Sequence, residues 1–232
     1  MPAQRIPHGA LVLQTERLLL RRLTLEDLDA LAALYADPEV RRYFPEGTLT
    51  REETREELEW IIDVYYARFG YGLWATIERQ TGELIGRCGL LPWKIVRARS
   101  PEHLALDGAD ERPNPADDHE VELAYLLAKE RWGHGLATEA SLAIVDHAFE
   151  HLGVRRLICL VDRGNEASLA VARKVGMVAE GSVEVDGELL PLLSLSRTRW
   201  STDRGRNAPG AQGRARDASE EGGPPRRRRP IT

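Results

Sequence analysis

The sequence predicts one α/β domain followed by a basic tail, and three observations carry that reading. HEVELAYLL, His119–Leu127, is an apolar run of strand length, and it gives way within a few residues to RWGHGLATEA and a helical pattern. A second helical pattern, NEASLAVARKVGM at 165–177, closes on Gly176. The chain has 232 residues, 42% of them hydrophobic, enough for one sizeable core.

Each element has a local cause. Residues 18–23 read as a strand, and Thr24 with Asp27 forms a capping-box pattern for a helix reaching Tyr35. Asp37 and Pro38 supply an N-cap and first position for a short second helix. Thr50 with Glu53 repeats the capping box ahead of a longer helix carrying Leu58, Ile61, Ile62, Tyr65 and Phe69, which Gly70 ends. Residues 73–78 and 84–93 make a hairpin around RQTGE. Residues 94–118, with three prolines and little periodicity, form a long loop insertion, either flexible or a lid over a substrate. Residues 156–162 are a buried strand, and two last strands flank Asp186 and Gly187.

RWGHGLATEA is the most informative stretch. Gly133 and Gly135 carry no Cβ, so the chain can turn sharply and aim successive N–H groups at one anion. The helix beyond repeats Ala137, Ala140, Ile144, Ala148 and Leu152, a face for packing on a sheet, which fixes the helix N-terminus. The pattern suits a phosphate cradle and equally a glycine-bearing turn before an ordinary helix.

Composition narrows the classes. No stretch approaches the roughly 20 apolar residues of a membrane span, and no signal sequence opens the chain, so a cytoplasmic protein is expected. Cys88 and Cys159 lie in apolar strand-like segments and read as reduced core thiols. His147 and His151 are spaced as a metal pair, but no third ligand accompanies them, and no metal is expected. Residues 201–232 contain no aromatic side chain and read as a disordered tail, the domain occupying 1–200. The tail holds 8 Arg and 4 acidic residues, which leaves a net charge of −9 on 1–200. That acidic body argues against nucleic-acid binding and suits a cationic amine, and the RRRR run reads as solvated.

The strand, the WGHGLATEA turn and the NxxSxxVxxKxGM segment, with LxTERLLLRRL and DPEVRRYFP before them, resemble the GNAT acyltransferase superfamily over about residues 11–200. Within it they are most similar to the ribosomal-protein N-terminal acetyltransferase, RimJ/RimL-like, branch. The resemblance implies a mixed, mostly antiparallel sheet with a V-shaped splay, flanked by helices. It also implies acetyl transfer from acetyl-CoA to a primary amine by direct attack. The superfamily's general phosphate signature places Gln or Arg where Trp132 stands, so Arg131 does not inherit that role.

Carried over residue by residue, the resemblance gives Gly133, His134, Gly135, Leu136, Ala137 and Thr138 to the pyrophosphate. Tyr125, Leu126 and Leu127 line the pantetheine arm, the amide of Tyr125 or Leu126 faces the oxyanion, and Asn165 holds pantetheine. Lys174, beside Arg173, adds positive charge on the cofactor side. Glu122 is the candidate base, or alternatively a strand carboxylate paired with an arginine. The branch lacks the superfamily's acid tyrosine, and Ala172 stands at that position. Ser168 either assists the departing thiolate or caps the Asn165 helix. Trp60, Tyr65 and Tyr66 line an acceptor pocket or pack the core. The acceptor implied first is a protein N-terminal α-amine, with aminoglycoside or polyamine acetylation and a non-catalytic acyl-CoA-binding module as alternatives.

Overall fold

The computed structural model describes residues 9–97, 104–107, 119–185 and 188–207. One nine-stranded sheet organises the residues up to Arg197. Strands β1 (Leu11–Gln14), β2 (Leu18–Arg22), β3 (Leu73–Glu78) and β4 (Leu84–Arg97) pair antiparallel in that order. β4 then pairs antiparallel with β6 (His119–Leu127), which meets β7 (Arg156–Leu160) in parallel. β9 (Glu188–Ser196) joins β7 to β8 (Val178–Val185). The sheet is thus mixed and mostly antiparallel, as expected.

The 94–118 insertion is not all loop. β4 runs on through Arg97, and β5 (Leu104–Asp107) pairs with Lys94–Arg97 on one side and with β8 on the other. The pairings therefore run full circle through β4, β5, β8, β9, β7 and β6. The KIVR and LALD segments satisfy their backbone in the ladder although they lack the long apolar run of a buried strand. Residues 98–103 and 108–118 lie outside the described part. Trp93, Ile158, Leu160, Val183, Val185, Leu190 and Leu192 pack together within the ring.

Helix α1 (Leu28–Tyr35) follows a one-turn 3-10 segment whose capping box is formed as the sequence indicates. Asp27 serves twice there, accepting from the Thr24 amide and from both terminal nitrogens of buried Arg21 at 2.7 and 2.6 Å. The Thr50 and Glu53 box opens α2 (Arg51–Trp60), which runs through a π-helical segment, Ile61–Tyr66, into the short α3 (Ala67–Phe69). Gly70 ends it at φ +76°. The short helix expected after Asp37 is instead a series of turns. Asp37 does cap, its Oδ1 taking the Glu39 amide at 2.8 Å, and the Arg41 amide closes one helical turn on the Asp37 carbonyl, but Pro45 follows closely and the chain goes on in tighter turns.

α4 (Leu136–Glu150) and α5 (Glu166–Lys174) are the two helices read from the sequence. α4 buries Leu136, Ala140, Ile144, Val145, Ala148 and Phe149, while Ala137 and Leu152 are only half-buried. Trp74, edge-on to His147 at 5.9 Å, lies on the α4 side of the sheet, and Arg87, bonded to Tyr35, lies on the α1 side. Cys88 and Cys159 are buried free thiols. A last helix, α6 (Arg197–Asn207), takes in the first seven residues expected to be disordered. Residues 186–187 and 208–232 lie outside the described part, so the expected turn and the rest of the tail do too.

Candidate active site

Gly133 and Gly135 both sit at φ +77°, where a residue with a Cβ is strained by about 1–2 kcal/mol. Nothing lies within 4 Å of a Cβ built on Gly133, so conformation rather than crowding calls for glycine there. Gly135 is the N-cap of α4, and no side chain caps that end. The first-turn amides of Leu136, Ala137 and Thr138 are thereby left to an outside acceptor, the arrangement that binds phosphate.

Arg17, absent from the sequence assignment, braces this turn. Its Nη1 donates to the His134 carbonyl at 2.9 Å and its Nε to Glu139 Oε2 at 2.6 Å. Glu139 Oε1 also accepts from the Arg17 amide and from Thr15 Oγ1. Burial works against ionisation of Glu139, but the hydrogen bonds from Thr15 and Arg17 outweigh it and hold the carboxyl below its usual range. Arg131 turns away to Glu78 and Glu83 at 3.0 and 3.2 Å, in keeping with its exclusion from phosphate binding.

The splay lies between β6 and β7, which pair only at Glu122 and Ile158. The Leu160 amide donates instead to Glu122 Oε1 at 3.2 Å. Along β6 the Ala128 amide donates to the Ile85 carbonyl on β4, and the register with β4 is unbroken. Backbone groups alternate sides along a strand, so Leu126 faces β4 while Tyr125 and Leu127 face the gap. Of the two amides considered for the oxyanion, only that of Tyr125 is so placed. Trp132 Nε1 donates to the Leu127 carbonyl at 2.8 Å.

Glu122 stands at the point where the strands part. It is 7% exposed, and its Oε2 accepts from Trp93 Nε1 at 2.6 Å. Burial pushes its carboxyl up to about 7, against the pull of the Trp93 and Leu160 donors and the field of Arg87. Among the described residues no arginine is hydrogen-bonded to it, and its partners are the Trp93 indole and the Leu160 amide.

Residues 17–178 match the acetyltransferase (GNAT) domain family. The chain belongs to the GNAT family. It is 31% identical to YkkB of Bacillus subtilis over 71% of this chain and 84% of that protein. A solved acetyltransferase from Agrobacterium tumefaciens superposes at a TM-score of 0.60 with 28% identity, over 79% of this chain and 92% of that one. A shorter stretch of 64 residues is 36% identical to the putative ribosomal N-acetyltransferase YdaF of Bacillus subtilis, covering 28% of this chain and 35% of that protein. The protein is an acetyl-CoA-dependent N-acetyltransferase with an amine acceptor, and the αL turn with its uncapped helix end fits the phosphates of that co-substrate.

In this GNAT fold the other assigned residues divide. Asn165 is the N-cap of α5, its Oδ1 accepting the Ser168 amide at 3.1 Å. The capping role considered for Ser168 therefore belongs to Asn165. Tyr125 sends its hydroxyl to the Ser168 carbonyl at 2.8 Å, tying β6 to α5. Glu122 and Tyr125 point to opposite faces of β6, so Glu122 and Ser168 flank the gap from either side. Lys174 is exposed at the far end of α5, roughly 13 Å of helix rise from Asn165. Tyr66 is a core residue, accepting from the Leu23 amide and donating to the Leu73 carbonyl. Tyr65 stands edge-on to Trp60 at 6.5 Å, and the charges of Glu57, Glu122 and Arg87 all act on it. Tyr43 reaches across to the Gly164 carbonyl at 2.9 Å, linking the turns after α1 to the loop before α5. Among the described residues no group of three or more His, Cys, Asp or Glu side chains is placed to hold a metal, and no helix is long and apolar enough to cross a membrane.

Proposed function

We propose that this GNAT enzyme acetylates an α-amine, foremost a protein N-terminus as in the RimJ/RimL-like branch, in the cytoplasm. The observation that carries the reading is Glu122, a buried carboxyl held near neutrality at the mouth of the splay. A base that titrates near 7 is matched to an amine of pKa about 7.7–8.0 and poorly matched to a lysine near 10.4. Near pH 7.5 roughly a third of an α-amine is already neutral, against about a thousandth of a lysine, a difference of about 3 kcal/mol. The short likeness to a putative ribosomal acetyltransferase points the same way.

Acetyl-CoA supplies the activated acyl group. The cradle at Gly133 to Thr138 takes its phosphates and the Asn165 side-chain N–H meets the pantetheine arm. Glu122 accepts the proton of the incoming amine, while the Tyr125 amide donates to oxygen where negative charge develops. Ser168 Oγ donates to the departing sulfur from the opposite face.

Acetyl-CoA turnover is measured against peptides with free N-termini, their N-blocked lysine counterparts, aminoglycosides and polyamines. Acceptor-dependent thiol release with free N-termini and not with N-blocked peptides is the expected result. Preference for polyamines or aminoglycosides overturns the α-amine reading. CoA binding with no acceptor-dependent release overturns the transfer chemistry.

A further inference from the structure

Residues alternate along β4, so Arg87, Leu91 and Trp93 share the face of Glu122, as the Trp93 bond to Glu122 shows. Arg87 is 5% exposed, and its Nε donates to the Tyr35 hydroxyl, which in turn donates to Glu57 Oε1 at 2.7 Å. The Glu57 carboxylate itself stays 3.9 Å from Nε. That fixes one edge of the guanidinium and leaves the other. Among the described residues neither Nη1 nor Nη2 has a hydrogen-bond partner.

The surroundings add positive charge. The Arg41 guanidinium lies over the rings of Tyr35 and Phe44 at 5.1 and 4.5 Å, and Arg87 over the same rings at 5.5 and 5.8 Å. Arg41 has its own contacts, the Gly47 carbonyl and a Glu46 carboxylate that is 65% exposed. Two buried guanidiniums thus share one aromatic wall, and the one on the face of Glu122 meets its carboxylate, Glu57, only on the Nε edge and at 3.9 Å. Buried donors left without a partner are costly, and the free Nη edge of a guanidinium matches a planar carboxylate through two parallel bonds.

We propose that Arg87 is a carboxylate subsite of the acceptor cleft, so that the preferred acceptor is an α-amine accompanied by a carboxylate, as in a peptide beginning with an acidic residue. This rests on the α-amine reading of the same cleft. The amine meets Glu122 and the carboxylate meets the Nη edge of Arg87. Tyr35 and Glu57 act by holding the guanidinium edge-on.

The test uses tetrapeptide pairs that differ only by Glu or Gln, or Asp or Asn, at the first or second residue. Binding of the N-acetylated peptides to the CoA-loaded protein is read by calorimetry, and turnover of the free peptides is read separately. The acidic member of at least one pair is expected to bind about tenfold tighter or more, with a matching fall in KM. Arg87→Met abolishes that preference and Arg87→Lys leaves at most about threefold, since a point charge does not replace the fork. The readout is the ratio of acid to amide member within each protein, which neither a general loss of structure nor a change at Glu122 alters. Thermal melts and CoA affinity confirm that the variants fold, and the unaltered protein tests the preference without them. Equal binding of acid and amide in every pair overturns the subsite, as does a preference that survives Arg87→Met. Preferential binding without turnover of any peptide sinks the α-amine reading and leaves the subsite standing.

Discussion

Glu122→Gln exchanges a carboxyl addressed by two donors, Trp93 Nε1 and the Leu160 amide, for an amide of the same shape. Folded, the carboxyl titrates near 7 instead of 4.5, with burial as the chief cause. A carboxyl that holds its proton more tightly when folded makes the folded state lose stability as pH rises between those two values. The cost is absent below pH 4.5 and complete above about pH 7, where it reaches about 3 kcal/mol. Gln carries no such charge. Its single oxygen serves one donor while its NH2 opposes the other, a penalty of about 1–3 kcal/mol that does not vary with pH.

The variant is therefore expected to be less stable than the parent at pH 5 and as stable or more so at pH 8. Urea unfolding of both proteins across that range, at constant ionic strength, should show their stability difference moving by about 3 kcal/mol. Parallel stability curves would refute the buried, near-neutral carboxyl. Turnover per folded molecule at saturating acetyl-CoA gives the catalytic half. Between pH 7 and 8.5 the neutral fraction of an α-amine of pKa about 8 rises about eightfold. Without its base the variant should follow that rise, while the parent changes by less than about twofold. Parent-like rates at every pH would remove Glu122 from the mechanism.

Gly135→Asp places a Cβ at φ +77° and a negative charge in the cradle, with Arg17 Nη2 3.7 Å from that Cβ as ordinary contact. Acetyl-CoA affinity is expected to fall more than about tenfold for a stability loss of about 1–2 kcal/mol, read by calorimetric titration and melting; unchanged affinity removes the cradle assignment. Arg17→Ala unties the His134 carbonyl and Glu139, so acetyl-CoA affinity should fall several-fold with kcat preserved, and Glu139→Gln should add little to it in a double-mutant cycle; additive losses mean the two do not act together. Ser168→Ala should lower turnover without recovery at high pH, because pH does not replace a proton donor, whereas parent-like turnover leaves Ser168 no part in thiolate departure. Removing 208–232, a cut that spares α6, should leave turnover on a small acceptor within about twofold; a many-fold fall would make the tail part of the catalytic domain.

The parts of the fold that sequence reading captured are those with local causes. Two capping boxes, the glycine stops at Gly70 and Gly176, and the αL pair at Gly133 and Gly135 are each set by residues within one turn of one another. The helix expected after Asp37 fails for the complementary reason: a cap and a first-position proline start one turn, but Pro45 leaves too short a run of chain to propagate it. The π segment follows the same logic in reverse. Its one-residue slip puts Tyr66 in the core and leaves Tyr65 half-buried edge-on to Trp60, a choice made by packing rather than propensity.

The site was legible to the extent that its residues lie in the turn and caps, and illegible where chemistry depends on partners distant in sequence. Arg17 and Glu139 stand in motifs that were read, TERLLLRRL and GLATEA, yet their ion pair spans 122 residues and neither motif predicts the other. Glu122 was identified as a strand carboxylate with two meanings. What bears on them is a Trp 29 residues upstream and an amide 38 residues downstream, both donors to the carboxyl. The strand β5 is the clearest case: LALD has neither length nor period to announce it, and it exists because β4 and β8 each offer an unpaired edge on either side. With those edges joined, strands β4, β6, β7, β9, β8 and β5 form a ring whose apolar filling reaches Trp93. The indole that holds Glu122 is thus set by the same packing that closes the sheet, which couples the acidity of the candidate base to the insertion rather than to the cofactor turn.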